Sequence, residues 1–469
     1  MISYFQKAYA SFNQWQKRRM FEKLKHAVRP LPNGGMVLVL NTGALIGPEA
    51  EAMLQALYSR SPGSVLKHLV ELAKKGAEKF MAQFYVGYGH KSIGDCGAVT
   101  IFIEGVSMLA AKAIQDWLLY SGQEVSTRYV DFAKQFFVDI LGLAWTAVLL
   151  DNLRSFYLDS MEPLKQDLML RFPKPDGEKN ETYQKAIAAR AFDILRGFLP
   201  AGAMTNLSWH ANLRQTADKI AILRHHPLEE VRAVAEAMES ALREAFPSSF
   251  SHKRYETTED YNEMWMREYY HLFEAECPQF EGTVLFADEN ELDTYRRVLA
   301  ERPPKTELPK FLAQSASLRF RFLLDFGSFR DIQRQRAVVQ RMPLLTTACG
   351  FEPWYLEELP ENIRKEAVTL LTETVKFLAQ GIHFFEAQYY IPMGYRVQNR
   401  ITGDLPAFVY LAELRATPFV HPTLQKQAHR IAAFLEEHFG EYGLKVHTAK
   451  EIGRFDIKRG EQDIVKKIV

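Results

Sequence analysis

Ser121-Gly122-Gln123-Glu124-Val125-Ser126-Thr127-Arg128-Tyr129 is the stretch from which the chain is best read. It carries a carboxylate, a hydroxyl and a guanidinium at alternate positions, Glu124, Ser126 and Arg128. In an extended backbone alternate side chains point the same way, so all three would face one target. A hydroxyl beside an arginine fork suits a phosphate. A neighbouring carboxylate suits ribose hydroxyls or an amide N–H. A surface loop with an ion pair is the other reading of so short a string. Upstream, Val106, Leu109, Ala113, Ile114 and Trp117 recur at three- and four-residue spacing. That predicts a buried-face helix over Ile103–Tyr120, broken at Gly122.

At 469 residues the chain is long for one core, and two or three domains are expected. A formal charge of +1 leaves no large electrostatic footprint for nucleic acid, so no such partner is expected. Cys96, Cys277 and Cys349 show neither disulfide nor metal spacing, which predicts no metal site and a reducing, cytoplasmic home. No apolar run approaches the roughly 20 residues that span a bilayer, and no signal core opens the sequence, so no membrane role is expected.

Outward from the quoted stretch, Met36–Leu40 reads as a strand and residues 172–178 as a polar loop. Arg196–Gly202 opens another helical region, and Leu228–Phe246 is a helix stopped by Pro247. Landmarks then repeat. Gly282–Phe286 resembles a first strand. Tyr390-Ile391-Pro392-Met393-Gly394 echoes Phe198-Leu199-Pro200-Ala201-Gly202, and Leu414-Arg415-Ala416-Thr417-Pro418 echoes Leu223-Arg224-His225-His226-Pro227. Pro200 and Pro392 stand 192 residues apart, Arg224 and Arg415 191 apart. The agreement predicts a duplicated unit: a helical extension over 1–34, a first copy over 35–275 and a diverged second copy over 276–469. In the second copy a helix over Leu318–Arg330 is expected to run into Asp331-Ile332-Gln333-Arg334-Gln335-Arg336.

Gly89-His90-Lys91-Ser92, Phe102-Ile103-Glu104-Gly105-Val106 and the Glu124–Tyr129 string together resemble the signature region of flavin-dependent thymidylate synthases. That family shows G-H-x-[ST], an F-x-x-E-G-V-like strand end, a helix, and R-H-R-x-x-S-x-N-E-x-S-x-R-Y. The first copy matches the E-x-S-x-R-Y end and has Asp116-Trp117-Leu118 in place of R-H-R. The second copy has Arg334-Gln335-Arg336 there, and Met342, Leu344 and Thr346 in place of Glu, Ser and Arg.

The resemblance implies an α+β fold in which each copy has a small, mostly antiparallel sheet, a long central helix and a helical bundle. It also implies a nucleotide site between subunits. Carried over, the first copy supplies Glu124, Ser126, Arg128 and Arg196, and the second supplies Arg334, Arg336 and Arg415. Gln388 takes the place of Arg196 in the second copy, and Arg224 alone survives of the first copy's other set. A pseudo-dimer with one working composite site is the expectation. The resemblance assigns Glu124, Ser126, Arg128, Arg196, Arg334 and Arg415 to dUMP. It assigns His90, Ser92, Asp95, Gln123, Asn212, Arg214, Arg334, Gln335 and Arg336 to FAD. Arg415, Glu124 and His90 would act in the chemistry, although His90 alone reads equally as a core or helix-cap histidine. The implied reaction is reductive methylation of dUMP to dTMP with methylenetetrahydrofolate and NADPH, in a homodimer imitating the family tetramer. Gln335 for His, Gln123 for Asn and Asp95 for Glu also leave open an inactive nucleotide- or flavin-binding homologue, or a related methyl or hydroxymethyl transferase.

Overall fold

Four stretches expected to be helical hold strands in the computed structural model, which describes residues 26–40, 47–60, 77–87, 91–125, 130–270 and 277–449; one is His26–Pro30 in the N-terminal extension, paired antiparallel with Met36–Leu40. Val99, Ile101 and Ile103 are buried, while Thr100, Phe102 and Glu104 between them are half-buried. That period of two makes Ala98–Ser107 a strand. The helix expected over Ile103–Tyr120 is confined to Met108–Gln115. Its helical spacing misled because a bulge at Gly105, φ +68°, shifts the register and lets the apolar run continue into the helix. Leu318, Phe320 and Phe322 likewise alternate with half-buried Arg319 and Arg321, so Ala316–Asp325 is a strand and the helix is Phe326–Ile332. After the Arg196–Phe198 turn, Met204–Asn212 is a strand burying Thr205, Leu207, Trp209 and Ala211.

In chain order the main elements are β1 (His26–Pro30), β2 (Met36–Leu40), α1 (Pro48–Arg60), β3 (Ala98–Ser107), α2 (Met108–Gln115), β4 (Ser121–Glu124), α3 (Ala144–Arg171), α4 (Asn180–Leu195), β5 (Met204–Asn212), α5 (Leu213–Leu223), α6 (Glu229–Ala245) and α7 (Glu256–Tyr270). There follow β6 (Phe280–Ala287), β7 (Ala316–Asp325), α8 (Phe326–Ile332), β8 (Val339–Gln340), α9 (Pro353–Glu357), α10 (Glu361–Leu378), β9 (Arg396–Asp404), α11 (Leu405–Arg415) and α12 (Pro422–Phe439). The fold is α+β with antiparallel sheets. The helices that follow β3 and β7 are short, eight and seven residues, so neither is the long central helix expected. The long helices are α3 and α10, with 28 and 18 residues.

The first sheet runs β1-β2-β3-β5-β4 and the second β6-β7-β9-β8. With β1 set aside the orders coincide, strand for strand. The turns Arg196–Phe198 and Gln388–Tyr390, strands β5 and β9, and helices α5 and α11 all stand 192 residues apart at both ends. Strands β3 and β7 stand 218 apart.

The chain packs as two compact units, Met1–Val130 with Met204–Tyr269, and Asp131–Ala203 with Tyr270–Val469. Sequence boundaries at 35, 275 and 276 do not follow these units, because α3 and α4 pack with the later residues. Trp145 on α3 stacks on Phe377 of α10 at 6.1 Å, and Arg190 on α4 lies 4.8 Å over the Trp354 ring.

In the first unit α6 lies along β1 and β2. Its Glu230 accepts from the backbone N–H and hydroxyl of Ser107, at 2.8 and 2.6 Å, and Ser107 caps α2. The second unit has the same device with the chemistry exchanged. Asp325 caps α8 and accepts from the Thr423 hydroxyl of α12 at 2.5 Å.

The second unit also contains a reciprocal backbone contact. Ala201 N–H donates to Ile391 O at 3.0 Å and Met393 N–H to Leu199 O at 2.9 Å. Gly202 N–H donates to Tyr389 O at 2.8 Å and Gly394 N–H to Gly197 O at 2.7 Å. Shifting every residue by 192 positions converts each bond into the other of its pair. Such exchange is the mark of an isologous two-fold contact.

Candidate functional site

Arg196 begins the turn after α4 and is 9% exposed. Its Nε and Nη2 are buried and have no hydrogen-bond partner among the described residues. A buried guanidinium with two unmet donors is costly, and a ligand oxygen would satisfy both. At the position 192 residues on, Gln388 has both ends of its amide engaged. Its Oε1 accepts from Leu345 N–H at 3.1 Å and its Nε2 donates to Phe385 O at 3.4 Å.

Asp331, in α8, is the focus of this charge. Burial pushes its carboxyl up, but Arg334, Arg196, Arg415 and Arg330 more than reverse that and hold it below the usual carboxylate range. Four guanidiniums therefore act on this one carboxylate, while Asp193 and Asp325 also act on Arg196; so many arginines together suit an anion. Arg415 ends α11. Its Nη2 donates to Asp331 O at 2.6 Å, while its buried Nε has no partner among the described residues. Arg334 is half exposed, 3.8 Å from Asp331. Arg336 is exposed, whereas Gln335 between them is buried. Arg196, Arg334 and Arg415, drawn from distant parts of the sequence, thus belong to one compact unit and one electrostatic cluster.

In the first unit Glu124 closes β4. Its carboxylate pairs with Lys112 Nζ of α2 at 2.6 Å, and both side chains are at most 1% exposed. Lys112 also donates to Gln115. Gln123 is exposed, its backbone N–H donating to Ser208 Oγ at 3.1 Å. Ser126, Arg128 and His90 lie outside the described residues. Three residues expected at flavin do come together. Asp95 accepts from Asn212 Nδ2 at 3.0 Å and from Arg214 Nε at 2.7 Å, and Asn212 caps α5 through Gln215 N–H. Ser92 is exposed on the short helix Lys91–Gly94.

Arg224, the surviving arginine of the other set, is clamped. Glu239 lies at 3.2 Å and Glu259 at 2.7 Å, and His225 reaches Glu259 at 2.9 Å. Asp116 and Trp117 stand 218 residues before Arg334 and Gln335, and they too are internal structure. Asp116 O accepts from Lys219 Nζ at 2.7 Å, its carboxylate accepts from the Tyr269 hydroxyl, and Lys219 lies 5.3 Å over the Trp117 ring. Burial pushes the Lys219 amine down to about 8.

Residues 47–248 match the family model described as thymidylate synthase complementing protein. Over that stretch the chain is similar to the thymidylate synthase complementing protein family. It is similar over a longer stretch to UPF0159 proteins. One from Chlamydia muridarum is 27% identical over 416 residues, 76% of this chain and 78% of that protein. One from Chlamydia pneumoniae is 25% identical over 441 residues, 81% and 82% of the two chains. One from Thermoplasma acidophilum is 23% identical over 454 residues, 81% and 91%.

The thymidylate synthase complementing protein match takes in Asp95, Glu124, Arg196, Asn212 and Arg214, but stops before Arg334 and Arg415. Sequence reasoning missed Lys112 and Asp331. A lone lysine among Ala110, Ala111 and Ala113 was a signal for a buried partner. For Asp331 the signal was its place three residues before Arg334.

Proposed function

We propose that the chain is a tandem thymidylate synthase-like enzyme that binds dUMP and methylates it reductively. The observation that carries this reading is the buried Arg196 with two unmet donors beside Arg334 and Arg415. Arg196 takes the dUMP phosphate, with Arg334 completing the fork-to-oxygen contacts. Arg415 turns its unpartnered Nε to the uracil carbonyl, where a cation stabilises the negative charge that grows as C5 becomes nucleophilic. Glu124, Ser126 and Arg128 keep the roles that the resemblance implies. The coinciding strand orders and the reciprocal bonds at Pro200 and Pro392 support descent from a duplicated unit. Two chains would then supply the four copies of the family assembly.

The donor set also fits FAD. Arg334 and Arg336 are exposed and suited to its phosphates. When bound, FAD carries hydride from NADPH, and methylenetetrahydrofolate supplies the carbon. The protein's share is to hold the pyrimidine and its charge in place. Among the described residues no helix is long and apolar enough to cross a membrane.

Two observations favour a second reading, a nucleotide-binding protein without synthase activity. Gln335 is buried where the family has an imidazole, and Glu124 is tied to Lys112. The purified chain, supplied with FAD, NADPH, dUMP and methylenetetrahydrofolate, separates the two. The expected result is dTMP, with NADPH oxidation dependent on dUMP. Tight dUMP binding without product would favour the second reading instead.

A further inference from the structure

Lys112 is completely buried in α2, among Ala110, Ala111 and Ala113. Its ammonium pairs with the Glu124 carboxylate at 2.6 Å and also donates to Gln115 Oε1, and the Glu124 side chain is 1% exposed. A buried ion pair is not needed for stability as such, since apolar residues of like volume serve as well. This pair does join two elements. Lys112 belongs to a helix whose start is fixed by Ser107 and Glu230, and Glu124 is the last residue of β4. Immediately beyond it the chain enters Val125-Ser126-Thr127-Arg128, whose Ser126 and Arg128 lie outside the described residues.

Strand β4 is held along its whole length. Tyr120, just before it, stacks on Trp209 of β5 at 4.7 Å. A Cβ on Gly122 would stand 2.1 Å from Ser208 O, so only glycine lets β4 lie this close to β5. Glu124 is paired with Leu207, and Val125 N–H still donates to Asn206 O at 2.9 Å. The ladder thus runs up to the residue before Ser126.

The repeat shows what changes when the carboxylate is missing. Strand β8 pairs with β9 in the register of β4 with β5: Val339 lies opposite Thr402 as Ser121 lies opposite His210. A shift of 218 positions carries Lys112 to Arg330, Gln115 to Gln333 and Glu124 to Met342, all three buried. The cation and the amide are kept, and the carboxylate is not. There the ladder stops at Gln340, two residues short of Met342, whereas β4 runs on to Glu124. The sheet therefore forms without the carboxylate, and the longer edge strand goes with the ion pair.

We infer that Lys112 is a positioning residue. Through Glu124 it fixes the end of β4, and so the point and direction from which Ser126 and Arg128 approach the nucleotide phosphate. The pair thereby sets the preference of the site for a phosphorylated nucleoside over the bare nucleoside. This rests on the proposed assignment of Ser126 and Arg128 to dUMP.

The test compares the affinities of the whole chain and its variants for dUMP, deoxyuridine and inorganic phosphate, well below the unfolding transition. Lys112→Met should weaken dUMP and phosphate by roughly tenfold, the scale of one charge-assisted contact, and leave deoxyuridine within about twofold. Lys112→Arg, which supplies the residue type of the equivalent Arg330, should restore dUMP to within about threefold of the wild type. Should Lys112→Met not fold, combining it with Glu124→Met leaves no lone buried charge and puts at position 124 the residue type of Met342. That double variant should show the same loss for dUMP and phosphate. Unchanged dUMP and phosphate affinity without the lysine, equal loss for dUMP and deoxyuridine, or no recovery in Lys112→Arg would overturn the inference. A wild-type chain that binds phosphate but not dUMP sinks the thymidylate reading, and the phosphate arm still decides the role of Lys112. Binding of neither by the wild type overturns both.

Discussion

Arg196→Gln is expected to weaken dUMP binding by two to three orders of magnitude while leaving the fold intact. Each hydrogen bond from a charged donor contributes about 1.5–3 kcal/mol. Two donors, Nε and Nη2, have no acceptor among the described residues. A loss of about 3–4 kcal/mol corresponds to roughly a hundred- to a thousandfold in Kd. Glutamine is the residue at the equivalent position, Gln388, where it sits fully buried. The substitution also takes counter-charge from Asp193, Asp325 and Asp331, so the denaturation midpoint should fall and binding is to be read well below the unfolding transition. Isothermal titration with dUMP reads the affinity. A Kd within threefold of the wild type would remove Arg196 from the site.

Arg415→Ala and Arg224→Ala should fail in opposite ways. Arg415 donates to the backbone oxygen of Asp331, and its Nε is unmet among the described residues. Its loss should cost little stability and about a hundredfold in turnover, the scale of removing one donor from a developing charge. Arg224 sits among Glu239, Glu259 and His225, with Arg243 and Arg254 also on Glu239. Truncating it leaves two largely buried carboxylates short of counter-charge, at a cost of about 3–5 kcal/mol. Activity measured well below the unfolding transition should survive. Equal loss of turnover in both variants would contradict the asymmetry between the two arginine sets.

The clamp also has a pH signature. Burial pushes the Glu259 carboxyl up, but His225 and Arg224 more than offset this and hold it below its usual value of 4.5. Around that pH the unfolded chain binds more protons than the folded one. The clamp's contribution is therefore full above pH 4.5 and fades as pH falls through the folded value.

Much of the repeat is legible in the amino-acid sequence alone. Strand β2 and helix α6 fall on the expected Met36–Leu40 and Leu228–Phe246, and Pro200 and Pro392 mark equivalent turns. The echo of Arg224 in Arg415 is one residue off the 192-residue register of α5 and α11, within the spread of helix ends. The period of the longest strands is what sequence reasoning misses. Strands β3, β5 and β7 each run straight into a helix with no turn residue between, capped by Ser107, Asn212 and Asp325. An apolar run that changes period without a break can be matched to either template. The arginines are legible because so few chemistries need several of them. Their support is not, since Asp331 acquires meaning only from tertiary neighbours. The Lys112–Glu124 pair joins residues from a helix and a strand, and no local pattern links those two.

The central claim is that one nucleotide phosphate is held jointly by an arginine from each half of the sequence. A double-mutant cycle on dUMP binding, with Arg196→Gln, Arg334→Ala and their combination, tests it most directly. Both guanidiniums act electrostatically on Asp331, so the two losses should be non-additive by about 0.5–3 kcal/mol. Losses that add to within about 0.3 kcal/mol would place the two arginines at independent sites and contradict the account.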